Sequence, residues 1–370
     1  MKRRQLLQSV SSAWLGCSGL AHSRIHEGLH TLAQRSGRSF GFAIHPSYAS
    51  GESVKALLAQ HAGVITAENA MKWRNIEGFL GGLDYTQADS VMALATRLNA
   101  KVRGHTLAWH QSTPLRLRHA SPHVFAAEQT AYLQAMAGRY AGRIHTWDVL
   151  NEVIEPDHGR SDGMRESVMS ALWGVDKYPV FFELARGADP LAKLAYNDYG
   201  MEQDEPWCER RRTVMLRTLY DWKKCKTPID VLGLQAHLDL SRKFSATRLT
   251  RFFDEIRAFG MSIQITELDV RDTQTLGDLP TRDAAVAALY KDFVDVCVNH
   301  ASVEMIVMWN VTDGDSWVNR WLQGQRRADG QPMRPTLFDA HGQAKPAFDA
   351  FANSLSAATV KFDKKDPNRV

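Results

Sequence analysis

Two glutamates stand where an apolar run turns abruptly polar. Glu152 closes Thr146-Trp147-Asp148-Val149-Leu150-Asn151-Glu152, and Glu267 lies late in Ile263-Gln264-Ile265-Thr266-Glu267-Leu268-Asp269-Val270. A strand buried on both faces tolerates the apolar part but not an unpaired Asn-Glu at its tip, so that tip must meet water or a ligand. Alternation along the first stretch puts Asp148, Leu150 and Glu152 on one face and Trp147, Val149 and Asn151 on the other. Two carboxyls assembled from separate strands could divide acid–base and nucleophilic work on one substrate.

Other polar residues recur at equivalent places. They are Glu68-Asn69 followed by Lys72 and Trp73, His105 with Trp109-His110, and Asn197-Asp198-Tyr199. Gln235 with His237, Asp269 beside Glu267, and Trp309-Asn310 followed by Trp317 complete the set. Singly, each has an ordinary reading: an Asp or Asn caps a helix, a His is a satisfied core group, a Trp is packing. Their coincidence at one end of nearly every strand is what points to a site. Aromatic faces stack on pyranose rings while amides and carboxylates bind hydroxyls, so a carboxylate pair flanked by both suits glycosidic-bond cleavage.

Competing chemistries fit less well. His26-Glu27-Gly28-Leu29-His30 matches a two-histidine zinc pattern, but it holds a Gly inside the supposed helix and lacks an evident third ligand. It reads as a polar N-terminal helix. His105, His110 and His237 sit beside amides, an arrangement that suits hydroxyl recognition at least as well as zinc. No metal or cofactor is expected. No serine lies in a G-x-S-x-G elbow, against an α/β-hydrolase triad, and no glycine-rich phosphate loop follows the first strand.

The elements that must carry these residues form a regular series. Buried strands are predicted over 40–44, 63–69, 101–109, 146–152, 193–199, 231–238, 262–270 and 305–311. Helical spacing lies between them, including 86–98, 122–140, 205–222, 246–259, 282–299 and 345–354. Eight βα units in one chain predict an α/β fold, a single-domain (β/α)8 TIM barrel, with its chemistry at the C-terminal strand ends. A doubly wound sheet is the alternative. The chain divides into 1–23, a basic-start export segment of possible twin-arginine type; 24–39, an N-terminal segment; 40–356, the barrel; and 357–370, a charged tail whose residues 361–370 read as a solvated end.

Composition agrees. The 370 residues are 44% hydrophobic and 23% charged, and part of the +4 formal net charge belongs to Lys2, Arg3 and Arg4. Nothing calls for nucleic acid or a membrane as partner, and no stretch is apolar for long enough to span a bilayer. Beyond Cys17 in the leader, Cys208, Cys225 and Cys297 match no zinc spacing. A Cys208–Cys225 bridge is conceivable in an exported protein; buried free thiols are the preferred reading.

Taken together, the motifs Glu68-Asn69-Ala70-Met71-Lys72-Trp73, Gly104-His105-Thr106-Leu107-Ala108-Trp109-His110 and Trp147-Asp148-Val149-Leu150-Asn151-Glu152 resemble successive motifs of the family 10 glycoside hydrolases. So do Asn197-Asp198-Tyr199, Gly233-Leu234-Gln235-Ala236-His237, Ile265-Thr266-Glu267-Leu268-Asp269 and Trp309-Asn310-Val311-Thr312-Asp313. The likeness runs over roughly residues 40–354 in the family's order. It implies a retaining endo-β-1,4-xylanase acting on xylan or xylo-oligosaccharides; with the N-terminal segment, the expectation is an exported enzyme working as a monomer. By that resemblance Glu152 is the acid/base, Glu267 the nucleophile, Asn151 a partner of the sugar 2-hydroxyl, His237 the group orienting Glu267, and Asp269 the support of His237. Glu68, Asn69, Lys72, His105, Trp109, Gln235, Trp309 and Trp317 would line the glycone side, and Tyr199 would also touch substrate.

Those roles require Glu152 to hold a proton while Glu267 is ionised, and retention implies carboxyls about 5–5.5 Å apart. The chain departs from the family at Gln111-Ser112-Thr113-Pro114-Leu115-Arg116, where the usual Gln is displaced and the Pro-x-Trp lost, and in 74–85, which lacks the usual proline. Both changes bear on chain-length preference rather than on catalysis. A β-glycanase for short or decorated xylo-oligosaccharides or β-glucan is the rival within the class. A non-catalytic carbohydrate-binding barrel is the rival outside it, opposed by the presence of both glutamates with Asn151 and His237.

Overall fold

The computed structural model describes residues 27–47, 51–78, 82–321 and 327–363. Its strands are Ser39–Ile44 (β1), Val64–Ala67 (β2), Lys101–Trp109 (β3), Thr146–Asn151 (β4), Lys193–Asp198 (β5), Val231–Leu234 (β6), His237–Asp239 (β7), Ser262–Arg271 (β8) and Val303–Trp309 (β9). Every pairing is parallel. β1 to β6 run in order, β6 joins β8, and β9 returns to β1, so eight strands close a barrel while short β7 adds to the outer half of β8. The doubly wound alternative is thereby excluded.

A helix follows each barrel strand: Glu52–His61, Thr86–Leu98, Pro122–Arg139, Tyr178–Ala188, Pro206–Lys224, Ala246–Ala258, Leu279–Val298 and Pro346–Ala357. Their sequences explain where they begin and which face they bury. Ser121, Ser245 and Asp278 accept the backbone N–H three residues on, satisfying donors that a helix start leaves free. Ala246–Ala258 buries Leu249, Phe252, Phe253 and Ile256, the i, i+3, i+4, i+7 stripe of an amphipathic helix. Each such side chain contributes about 1.5–3 kcal/mol on burial. Tyr178–Ala188 buries Tyr178, Phe181, Phe182 and Ala185 on the same spacing, and with Glu52–His61 it was not among the helices read from the sequence.

The barrel interior is polar at its lower end. Arg103 reaches Asp148 Oδ1 at 2.5 Å and Oδ2 at 3.1 Å and donates from Nε to Gln264 Oε1 at 2.7 Å, all three residues fully buried. Gln264 donates in turn to Thr146 Oγ1 at 3.0 Å and Glu304 Oε1 at 2.7 Å.

The strand expected over 231–238 is two strands, because Ala236 adopts φ 62° between β6 and β7. The N-terminal helix is Leu29–Gln34, and it is not polar: Leu29, Leu32 and Ala33 are buried. Gly28 is its N-cap, so Glu27 precedes the helix, and His30 uses Nδ1 to accept the Phe40 N–H at 3.2 Å. His26, the other histidine of the zinc pattern, lies outside the described residues, as do 1–25 and 364–370.

Of the tail expected to be solvated, Lys361 and Asp363 are exposed, while Phe362 is half-buried and the backbone is tied to the barrel. Phe362 N–H donates to Ser36 O, Asp363 N–H to Ala301 O, and buried Arg38 to Val360 O at 2.7 Å. Cys208 and Cys297 are buried free thiols, but Cys225 is free and exposed. Among the described residues no helix is long and apolar enough to cross a membrane.

Candidate active site

The C-terminal ends of the strands enclose a cavity of about 870 Å³. Every residue given a catalytic or substrate-binding role from the sequence lines it except Asp269, which is fully buried behind His237; of the other strand-end residues, Trp73, His110, Asn197, Asp198 and Asn310 do not line it. The polar rim is thus one site rather than scattered caps.

Glu152 reaches the cavity by breaking the strand. The alternation expected for 146–152 holds at Trp147 and Asp148, which turn outward and inward. Trp147 Nε1 donates to buried Asp189 at 3.0 Å, while Asp148 meets Arg103 inside the barrel. Past Asp148 the register with β5 shifts, and Glu152 takes φ 58°. Asn151 and Glu152, expected on opposite faces, therefore both line the cavity. A left-handed glutamate is strained and must be held. Glu152 N–H donates to Asn197 O at 3.0 Å, and Arg165 Nε donates to Glu152 O at 2.7 Å. The carboxyl is held as well: Trp109 Nε1 donates to Oε2 at 2.9 Å and Gln235 Nε2 to Oε1 at 3.1 Å.

Glu267 is buried and gripped from two sides. Asn197 Nδ2 donates to its Oε1 at 2.9 Å, and His237 Nε2 lies 3.2 Å from its Oε2. The β7–β8 register sets His237 opposite Asp269, whose Oδ1 is 3.0 Å from His237 Nδ1 and whose Oδ2 accepts Trp317 Nε1 at 2.6 Å. Burial by itself would push Glu267 toward the neutral acid. The His237 hydrogen bond, then the charges of His105, His237 and Lys72, outweigh it and bring the carboxyl down to about 2. For His237 burial opposes the cation, but the charge and hydrogen bond of Asp269, followed by those of Glu267, raise it to about 10. A cationic imidazole has N–H on both nitrogens and can donate to both carboxylates.

A run of amides joins the two glutamates. From Glu152 Oε1 it passes through Gln235 Nε2 to Asn151 Oδ1 at 3.3 Å, from Asn197 Nδ2 to that same oxygen at 2.8 Å, and on to Glu267 Oε1.

The opposite wall comes from β2, β3 and β9. Lys72 Nζ donates to Asn69 Oδ1 at 3.0 Å and lies 4.6 Å from the Trp109 ring centroid and 5.9 Å from that of Trp309. Burial lowers its pKa, and the fields of Glu267, Glu68 and Glu152 oppose that fall. Glu68 accepts from Asn69 at 3.0 Å, Asn310 at 2.7 Å and Arg320 at 3.2 Å. His105 Nδ1 is 2.9 Å from Asp148 Oδ2. On the far side Tyr199 Oη accepts from Arg165 at 2.7 Å and donates to Glu155 at 2.9 Å.

Arg165, Glu155 and Arg320 were missed in the sequence. Glu155 and Arg165 lie in loops, where neither strand nor helix period marks a residue, and Arg320 lies in the five-residue helix Trp317–Trp321, too short to show a period. A signal for Arg165 existed only in the need of a strand-end glutamate for backbone support.

The profile of glycosyl hydrolase family 10 matches residues 28–354. Endo-1,4-beta-xylanase C of Phanerodontia chrysosporium is 30% identical over 336 residues, 89% of this chain and 79% of that protein. Endo-1,4-beta-xylanase 3 of Hypocrea jecorina is 29% identical over 332 residues, 89% and 86% of the two chains. The crystal structure of xylanase 10B from Thermotoga maritima superposes with a TM-score of 0.79 at 26% identity, covering 89% of this chain and 98% of its own. By the extent of the profile match, the chain belongs to glycosyl hydrolase family 10.

Proposed function

We propose that this protein is a retaining endo-β-1,4-xylanase in which Glu152 is the acid/base and Glu267 the nucleophile. The observation that carries the assignment is the difference in support around the two carboxyls within one cavity. Glu267 is held anionic by His237, whereas Glu152 is oriented by an indole and two amides and, among the described residues, has no cation bonded to its carboxyl. Xylanase names among the relatives support xylan as the substrate.

In the first step Glu152 gives its proton to the glycosidic oxygen as Glu267 attacks the anomeric carbon. The C–O bond breaks, the shortened chain leaves with that proton, and a glycosyl ester forms on Glu267. Glu152, now a carboxylate, takes a proton from water, whose oxygen displaces Glu267 and restores the original anomeric configuration. Asn151 touches the Glu152 carboxyl and is joined to Glu267 through Asn197, and it is assigned to the sugar 2-hydroxyl. Glu68, Asn69, Lys72, His105, Trp109, Gln235, Trp309 and Trp317 are assigned to the glycone side, with Tyr199 on the side where the leaving chain departs.

Incubation with unsubstituted xylohexaose, followed by NMR, tests the reading. Internal cleavage with the β-anomer formed first is expected. The α-anomer first, or no cleavage, would overturn it. The same proposal makes residues 1–23 an export signal and the single chain the working unit. A mature N-terminus other than near residue 24 in the exported protein would count against the first, and a dimer in solution against the second.

A further inference from the structure

We propose that Arg165 is a positioning residue for the acid/base. It clamps the main chain of Glu152 and supplies the positive charge that Glu152 needs as a carboxylate in the second half of the reaction. The proposal rests on the xylanase reading above.

The chain leaves Glu152 and returns to it at Arg165. Arg165 N–H donates to Val153 O at 2.8 Å, Glu155 N–H donates to Gly163 O at 3.0 Å, and Ile154 bridges Met164 in antiparallel fashion. The loop closed in this way delivers the guanidinium to the main chain of Glu152, where Nε bonds the carbonyl oxygen at 2.7 Å. The far end of the fork is held as well: Nη2 donates to Tyr199 Oη at 2.7 Å and to Glu155 Oε2 at 3.1 Å. A planar group fixed at both ends fixes the carbonyl, and with it the left-handed φ of Glu152.

The same geometry keeps the cation off the carboxyl, whose oxygens take Trp109, Gln235 and Asn151. A guanidinium bonded there would hold the group ionised and remove the acid. One bonded to the carbonyl acts through its field alone. That field matters when the charge moves. In the first step the negative charge of the pair sits on Glu267, beside cationic His237. Once the glycosyl ester forms it passes to Glu152, and Arg165 is a cation bonded to that residue.

Arg165 faces Glu155, Tyr199, Asp198 and Glu152. Burial opposes its charge, but Tyr199, Asp198 and Glu152 together raise its pKa. Arg211 is committed to Asp198 at 2.6 Å and Glu155 at 3.2 Å. Beside Trp109, burial and then the charges of Arg165 and His158 bring His110 down to about 3, so it stays neutral. Lys72 also feels Glu152, but less than it feels Glu267 and Glu68.

The test uses dinitrophenyl xylobioside, whose leaving group departs without a proton, with wild type, Arg165→Gln and Arg165→Lys. Here kcat/KM reports formation of the ester on Glu267, and kcat its hydrolysis with Glu152 as base. Both variants lose the fork, so kcat should fall about tenfold or more, part of the roughly 10²–10⁴ that general-base catalysis contributes. Over the same change kcat/KM should fall less than about twofold, which also shows that the variant folds. Azide attacks the anomeric carbon and displaces Glu267 without a base, so it should restore kcat and yield the β-xylobiosyl azide. Losing the cation disfavours the Glu152 carboxylate. The acid limb of kcat should therefore move up by about half a pH unit or more in Arg165→Gln and stay in place in Arg165→Lys. Equal loss in kcat and kcat/KM, no response to azide, or an unmoved limb in Arg165→Gln would overturn the proposal. Should Arg165→Gln not fold, Arg165→Lys decides on the first two. Glu152→Ala without an azide-restored loss would remove the acid/base assignment beneath the proposal, and wild type inert on xylohexaose would remove the xylanase reading itself.

Discussion

Glu267 occupies a place where desolvation favours the neutral acid, and it is the bonded His237, backed by Asp269, that reverses the preference. The sign of a pH effect follows. Nucleophilic attack needs the carboxylate, and with a pKa near 2 Glu267 stays ionised across ordinary working conditions. Replacing His237 by Asn removes the leading charge-stabilising contact but leaves the burial, so the pKa of Glu267 must rise. The ionised fraction at a given acidic pH then falls, and the acid limb of the kcat/KM profile should move to higher pH. A uniform drop in rate with the limb unmoved would show that His237 shapes the site without tuning Glu267.

At the scale of elements, the chemistry depends on places where regular structure stops. Glu152, Ala236 and Asn310 all have positive φ, at 58°, 62° and 80°, and each ends or interrupts a barrel strand. The register shift in β4 and the left-handed turn at Glu152 bring Asn151 and Glu152 to one cavity; Asn310, in a conformation that asparagine tolerates, reaches Glu68. A period of two cannot reveal such breaks. Strand existence and the polar tips were legible because apolar runs ended in acids and amides, whereas the facing of Asn151 against Glu152 was misjudged. Loop residues such as Arg165 carried no periodic signal at all. The interior pair below the site makes a separate claim. Arg103→Met strands the Asp148 carboxylate inside the barrel and should cost about 3–5 kcal/mol in denaturant unfolding. A loss under about 1 kcal/mol would mean that His105 or water already neutralises Asp148.

At the scale of the molecule, barrel closure is what makes a pair of the two glutamates. Glu152 follows β4 and Glu267 lies on β8, strands that never touch in the sheet, yet both face one cavity because the ring closes through β6–β8 and β9–β1. Eight repeats of strand and amphipathic helix were readable because burial imposes them on the sequence. The backbone bonds that tie residues 362 and 363 to Ser36 and Ala301 were not, since main-chain pairing of an exposed charged tail leaves no mark on the side-chain pattern. Retention through a covalent intermediate requires that one of these carboxylates bond to the sugar. A 2-deoxy-2-fluoro-xylobioside with a good leaving group slows hydrolysis of such an ester enough for it to accumulate, and peptide mass spectrometry then locates it. The adduct is expected on Glu267; an adduct on any other residue, or turnover with inverted configuration and no adduct, would contradict the assignment of Glu267 as nucleophile.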